Sequence, residues 1–204
     1  MIRRVIATCL CACFIASACF CFLWVTGEKE VLLKNNIIDE LTIRLATFEP
    51  QLKFNIENVG KHIPDIAITD SIGNKKMLSE YIVNRKKIVI CRFSMRFCQE
   101  CNEYAINTIL GCSSLIDFGN LLFISDSINN RIHKVERATY NISNKYGIGD
   151  CNDLKIPAEN VMFPYYLVID NKLRISNIYF PNKESKNLGI DTVNLQLILK
   201  SLVD

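Results

Sequence analysis

The chain has 204 residues, half of them hydrophobic, and carries 24 basic against 21 acidic side chains for a net charge of +3. That length holds a membrane segment plus one domain of ordinary size. So small a charge, with no Lys- or Arg-dense face, argues against a nucleic-acid partner.

Met1-Ile2-Arg3-Arg4 is a short basic leader, and Val5 to Val25 is uncharged with only Thr8 and Ser17 polar. At about 1.5 Å per residue this run covers roughly 30 Å, the thickness of a bilayer's hydrocarbon core. The arginines before it, with Glu28 and Glu30 after it, orient the N-terminus inward. Residues 1–26 are therefore expected to form a signal anchor. Two alternatives are a signal peptide cleaved after the small residues Ala16-Ser17-Ala18 and a lipoprotein acylated at Cys19. All three deliver the rest of the chain to the periplasmic or extracytoplasmic side.

Residues 27–59 are expected to form a connecting helix. Val31, Leu32, Leu33, Ile37, Ile38, Leu41, Ile43, Leu45 and Phe48 build a broad apolar face. A dimerising coiled coil is the sharper reading, but over residues 28–55 the heptad runs for too few turns to favour it.

The globular domain is expected over residues 60–204. Ile63 to Asp70 reads as a short strand, Ser71 to Asn74 as a turn, and Leu78 to Val83 as a short helix. Ile88 to Phe93 is a buried strand by composition. A helix should run from Cys98 to about Leu115, followed by a second buried strand over Leu121–Ser125. Ile128 to Tyr146 reads as an amphipathic helix ended by Gly147, leaving Gly147 to Asp153 as a loop. Tyr165–Asp170 and Leu173–Phe180 form a hairpin around Asn171-Lys172, and Asp191 to Leu202 a last helix. Asp70, Asp126 and Asp170 stand at strand ends, where carboxylates cap turns. This order predicts an α/β sandwich with a mixed central sheet.

Between the first buried strand and its helix lies Cys98-Gln99-Glu100-Cys101. Two cysteines at this spacing close a small disulfide or serve as half a metal site. A helix N-terminus leaves backbone N–H groups unpaired and favours thiolate over thiol, so the first cysteine would be the nucleophile and the second the resolving thiol. Arg96 should add to the thiolate's stabilisation and Glu100 oppose it. A metal site needs a second ligand pair, and Cys91, Cys112, Cys151, His62 and His133 have no paired spacing. Of the ten cysteines, Cys9, Cys11, Cys13, Cys19 and Cys21 lie in the leader. The five that remain are an odd number and make no disulfide framework. Cys91 reads as a core thiol, and Cys112 and Cys151 are free to pair with each other.

This order of elements resembles the thioredoxin-like superfamily, above all its membrane-attached thiol-disulfide proteins of the TlpA/ResA type and the related AhpC/TSA redoxins. The resemblance spans residues 60–204. It rests on Ile63-Pro64-Asp65, the segment Asp70 to Leu78, the strand Lys87 to Phe93, the pair Cys98/Cys101, and the run Phe163-Pro164 to Asp170. It implies a three-layer sandwich with a mixed sheet and a single N-terminal transmembrane or signal helix before it. It implies Cys98 and Cys101 as catalytic residues and a cis Pro164 facing them, beside which an extended substrate could pair. Phe97, Phe163 and Pro164 are the expected substrate contacts, with no cofactor. The partners would be a disulfide-containing protein and an upstream thiol reductant. The chain departs from the family with Phe97 for Trp, Gln99-Glu100 without Pro, Glu103 one position early, and Phe163 for Thr. A thiol peroxidase is the enzyme alternative, with Ser94 upstream of Cys98. A non-catalytic module docking through Phe97, Phe163 and Tyr165 is the other.

Overall fold

The computed structural model describes residues 2–70, 72–115, 118–126, 130–143, 146–183 and 189–200. Within residues 1–26 only the side chains of Ser17 and Trp24 are described. The alternative of acylation at Cys19 therefore falls outside the described residues. Among the described residues no helix is long and apolar enough to cross a membrane.

The chain divides into two compact units, residues 1–46 and 47–204. Both share one helix, α1 (Ile2–Asn58), which runs through the expected anchor at 1–26 and the connecting helix at 27–59 without a break and contains Pro50. A proline has no N–H to donate to the carbonyl four residues back, here that of Ala46, the last residue of the first unit.

The second unit holds β1 (Ala67–Asp70), β2 (Lys75–Met77), α2 (Leu78–Ile82), β3 (Lys87–Arg92), α3 (Gln99–Gly111), β4 (Leu121–Ser125), α4 (Asn130–Thr139), β5 (Gly147–Asp150), β6 (Tyr165–Asp170), β7 (Ile175–Tyr179) and α5 (Ile190–Lys200). The strands form one sheet in the order β2-β1-β5-β4-β3-β6-β7. β3 pairs in parallel with β4, and β4 with β5. β6 runs antiparallel to β3, and β7 to β6.

The apolar runs were expected to be buried strands, and their alternation shows why they must be. Val89, Cys91 and Phe93 point into one core with Ala105, Ile106 and Ile109 of α3 and Leu195 and Leu199 of α5. Ile88 and Ile90 point into the other, with Leu78 and Ile82 of α2 and Leu154, Ile156 and Ala158. A strand covered on both faces has no polar face to show, so it reads as continuous apolar sequence.

β5 corrects the expected loop at Gly147 to Asp153. Its four residues include two glycines, which reads as a turn in sequence. Sheet packing demands them. A Cβ on Gly149 would lie 2.1 Å from Cγ2 of Ile68, and one on Gly147 2.9 Å from Cδ1 of Leu122. α4 is accordingly shorter than the helix expected to reach Tyr146.

The end of α1 covers the outer edge of β7. The Gln51 side-chain amide donates to the Ile178 carbonyl at 2.5 Å and accepts from the Phe180 N–H at 2.9 Å. Phe54 packs its ring on Phe180 with centroids 4.2 Å apart. Residues 60–63 continue alongside, with Gly60 N–H donating to Ile175 and Ile63 N–H to Leu173. An edge strand's unpaired groups are thereby satisfied within the chain.

Candidate functional site

β3 and β4 run in parallel, so both release their chains at the same end of the sheet, and the candidate site is assembled there. Asp126, directly after β4, binds the loop that leaves β3. Ser94 Oγ donates to it at 2.6 Å, the Met95 N–H at 3.1 Å and Arg96 Nε at 2.6 Å. Burial alone would raise the Asp126 pKa. The hydrogen bonds from Ser94, Arg96 and Met95 outweigh it and hold the carboxyl below its ordinary value. A second clamp comes from α3, where buried Asn102 donates through Nδ2 to the Ser94 carbonyl at 2.8 Å. Its Oδ1 is buried without a hydrogen-bond partner.

This clamped loop delivers Cys98 as the N-cap of α3. Cys98 is exposed and Cys101 half-buried one turn further in. The two are joined in a disulfide with their Cα atoms 5.1 Å apart. Cys98 Sγ accepts from the Cys101 N–H at 3.3 Å. That N–H belongs to the first turn of α3, where the helix has no carbonyl of its own to offer. A thiolate at Cys98 would be met by the same donor and by the positive end of the helix.

The two charged neighbours expected to pull Cys98 in opposite directions are each already paired. Arg96 is engaged by Asp126 and also reaches the Asn152 carbonyl at 3.4 Å. Glu100 forms an ion pair with Lys183, which holds its carboxyl below the usual range. Sequence reasoning missed Lys183 because it lies 83 positions away. Both neighbours being paired, the positive end of α3 acts on Cys98 among the described residues.

A buried ion pair lies behind this loop. Arg92, the last residue of β3, is fully buried and grips Glu159 at 2.8 Å and 3.0 Å. Its Nη2 also donates to the Asn152 carbonyl at 3.2 Å, and Tyr165 Oη donates to Glu159 at 2.6 Å. Burial works against the Arg92 charge, but Glu159 outweighs it and raises the pKa. An arginine that follows the apolar run Ile88 to Cys91 is the sequence signal for this group. Both Arg92 and Arg96 therefore tie the Asn152 carbonyl to the loop before the disulfide.

Among the described residues, Cys91, Cys112 and Cys151 are free thiols. Burial pushes the Cys91 thiol far up. Burial likewise raises Cys112 and Cys151. The suggested Cys112–Cys151 link is not formed. Cys112 belongs to the core on one face of the sheet and Cys151 packs against the core on the other.

Of the expected substrate contacts, Phe97 immediately precedes the disulfide and is largely buried, whereas Phe163 is about half exposed. Pro164 is buried and lies one step beyond the final β3–β6 pair, Arg92 with Tyr165, at the sheet end where the disulfide loop begins. The expected cis bond is corrected, since the Phe163–Pro164 peptide is trans. The isomers of an X–Pro bond differ by only about 0.5–1 kcal/mol, so local context decides. Here Met162, in the left-handed conformation at φ 57°, turns the chain into β6. Beside Phe97, a cleft of about 220 Å³ opens between α3 and α4, lined by Met95, Gln99, Asn102, Val135 and Tyr140. Among the described residues, no group of three His, Cys, Asp or Glu side chains is placed to hold a metal ion.

No protein-family profile and no curated protein matches this sequence. Solved structures do match. One is a candidate protein disulfide isomerase from Bacteroides thetaiotaomicron, 18% identical, with a TM-score of 0.51 over 72% of this chain and 91% of that one. Another is the thioredoxin domain of a thiol-disulfide oxidoreductase from Bacteroides vulgatus, 14% identical, TM-score 0.50, covering 71% and 97%. A peroxidoxin from Mycobacterium tuberculosis, 12% identical, also reaches 0.50 over 71% and 97%. The sheet order and the helix after β3 are thus those of a thioredoxin-like fold.

Proposed function

We propose that this protein is a thiol-disulfide oxidoreductase that works in the reducing direction through Cys98 and Cys101, attached to a membrane and facing the extracytoplasmic side. The observation that carries the chemistry is the Cys98–Cys101 disulfide at the N-terminus of α3, with Cys98 exposed and Cys101 tucked one turn behind. The location rests on the basic leader and the uncharged run Val5 to Val25.

In the reduced protein the Cys98 thiolate attacks one sulfur of a substrate disulfide. A Cys98–substrate disulfide forms and the other substrate sulfur leaves as thiolate, taking a proton from solvent. Cys101, once deprotonated, attacks Cys98 Sγ and expels the second substrate thiol. The substrate gains two electrons and the protein returns to the Cys98–Cys101 disulfide. An upstream dithiol restores the reduced pair by the same exchange in reverse.

The test is reduction of a protein disulfide by the pre-reduced full-length chain. Cys98→Ser should abolish it, and Cys101→Ser should stall at a mixed disulfide seen by mass spectrometry. Undiminished reduction by Cys98→Ser would sink the reading. Consumption of peroxide in preference to disulfides would replace it with peroxidase chemistry.

A further inference from the structure

Of the expected substrate contacts, Phe97 alone borders the cleft between α3 and α4. Phe163 and Pro164 precede β6, which pairs with one side of β3, whereas α4 follows β4 on the other side. The cleft is therefore a second surface beside the disulfide. Phe97 and Gln99, the residues on either side of Cys98, both line it. A chain bonded to Cys98 Sγ thus starts at its rim.

Its lining defines what fits there. Met95 is 67% exposed and Val135 57%, and Phe97, Ile132 and Tyr140 complete an apolar wall. Asn102, which also lines the cleft, is 1% exposed, and its Oδ1 has no hydrogen-bond partner among the described residues. The amide cannot turn this oxygen elsewhere, because Nδ2 is held by the Ser94 carbonyl at 2.8 Å. An amide oxygen only accepts, and buried acceptors are rarely left unsatisfied, so this one calls for a donor brought by a ligand. At about 220 Å³ the space falls below the ~300–1,000 Å³ of sites that take drug- or cofactor-sized molecules. It suits one aliphatic side chain together with a backbone N–H.

We propose that the α3–α4 cleft binds the segment of a substrate polypeptide next to its reacting cysteine, seating one aliphatic side chain against Met95 and Val135 and taking a backbone N–H on Asn102 Oδ1. The inference rests on the thiol-disulfide exchange proposed above and adds a sequence preference to it. An extended chain advances about 3.3–3.6 Å per residue, so the seated residue lies about one to three positions from the cysteine. Met95 is unbranched and adapts its shape, so Leu, Ile and Met are all accepted.

Peptides whose single cysteine is held as a pyridyl disulfide test this with the pre-reduced full-length chain in a non-ionic detergent. The Cys98 thiolate attacks the peptide sulfur and a Cys98–peptide disulfide forms. The peptide–pyridyl S–S bond breaks and thiopyridone leaves with the electron pair, which absorbance follows. Leu is walked through the positions on each side of the cysteine in a Gly and Ser background. At one of them it should speed release by about tenfold over Gly. N-methylation of one backbone nitrogen of that peptide should slow release by about tenfold, and Val135→Asp should cut the preference for Leu to about twofold or less. Equal rates for every peptide would overturn the proposal and leave exchange at Cys98 standing. So would a Leu preference that survives Val135→Asp, or N-methylated peptides that all react like their parent. Release from no peptide at all would overturn the exchange reading, and the proposal with it.

Discussion

Ser94 donates its hydroxyl to Asp126 at 2.6 Å, and this bond fastens the loop leaving β3 to the end of its parallel neighbour β4. The loop ends at Cys98, four residues on. The attitude of the disulfide is therefore set by a carboxylate that directly follows a different strand, and that coupling is open to experiment.

Asp126→Asn should leave the loop under-bonded and lower stability by about 1–3 kcal/mol at neutral pH in urea denaturation. The pH dependence carries a sign. A carboxyl depressed in the folded protein stabilises it fully above the unfolded value of about 3.9 and loses that contribution as pH falls through the lower folded value. Wild type should therefore lose stability on acidification below about pH 4 more steeply than Asp126→Asn. Parallel acid profiles would show that Asp126 is not the carboxyl responsible.

Lys183 balances Glu100 in the first turn of α3. Lys183→Ala should release a negative charge beside Cys98 and raise its thiol pKa, and Glu100→Gln should not raise it. Both ends are exposed, so the change should be small, at most a fewfold in thiolate fraction at neutral pH. Thiolate absorbance during a pH titration of the reduced protein reads it directly.

Arg92→Met would leave Glu159 and Tyr165 facing a lost cation in a buried site. The expected cost is about 3–5 kcal/mol, because an unpaired buried charge is worse than no pair at all. Adding Glu159→Leu should recover most of it. If the double variant is as unstable as the single one, the Asn152 contact is what matters.

Gly149→Ala should destabilise the domain by about 1–3 kcal/mol or more, since its Cβ would collide with Ile68 Cγ2. Ile68→Ala removes that atom at its own cost of about 2–5 kcal/mol. The two together should cost less than their sum in a double-mutant cycle. Additive losses would mean that the sheet shifts to admit the methyl group.

Much of this architecture is legible in the residue order. The runs Ile88 to Phe93 and Leu121 to Ser125 read as buried strands and Tyr165 to Asp170 as the first arm of a hairpin, and all three are strands in the structure, with Cys98/Cys101 at a helix start. Asp70 and Asp170 cap their turns as their positions suggest, accepting N–H groups from Ile72 and Asn74 and from Lys172 and Arg174. β5 escaped because Gly147-Ile148-Gly149-Asp150 has the composition of a turn, and its glycines answer to neighbours distant in sequence.

Local pattern by itself determined the apolar strands β3, β4 and β6, the helix that starts at the Cys98/Cys101 pair, and the terminal hairpin, though not β2 or β5. These follow from periodicity and capping, whose range is a few residues. Tertiary structure alone decided that Arg96 and Glu100 are neutralised by Asp126 and Lys183, that Arg92 is paired behind the loop, and that Pro164 is trans. Coulomb and packing forces act through space and take no account of sequence separation. Partners 30 to 83 positions apart become visible only once the sheet has brought strand ends together.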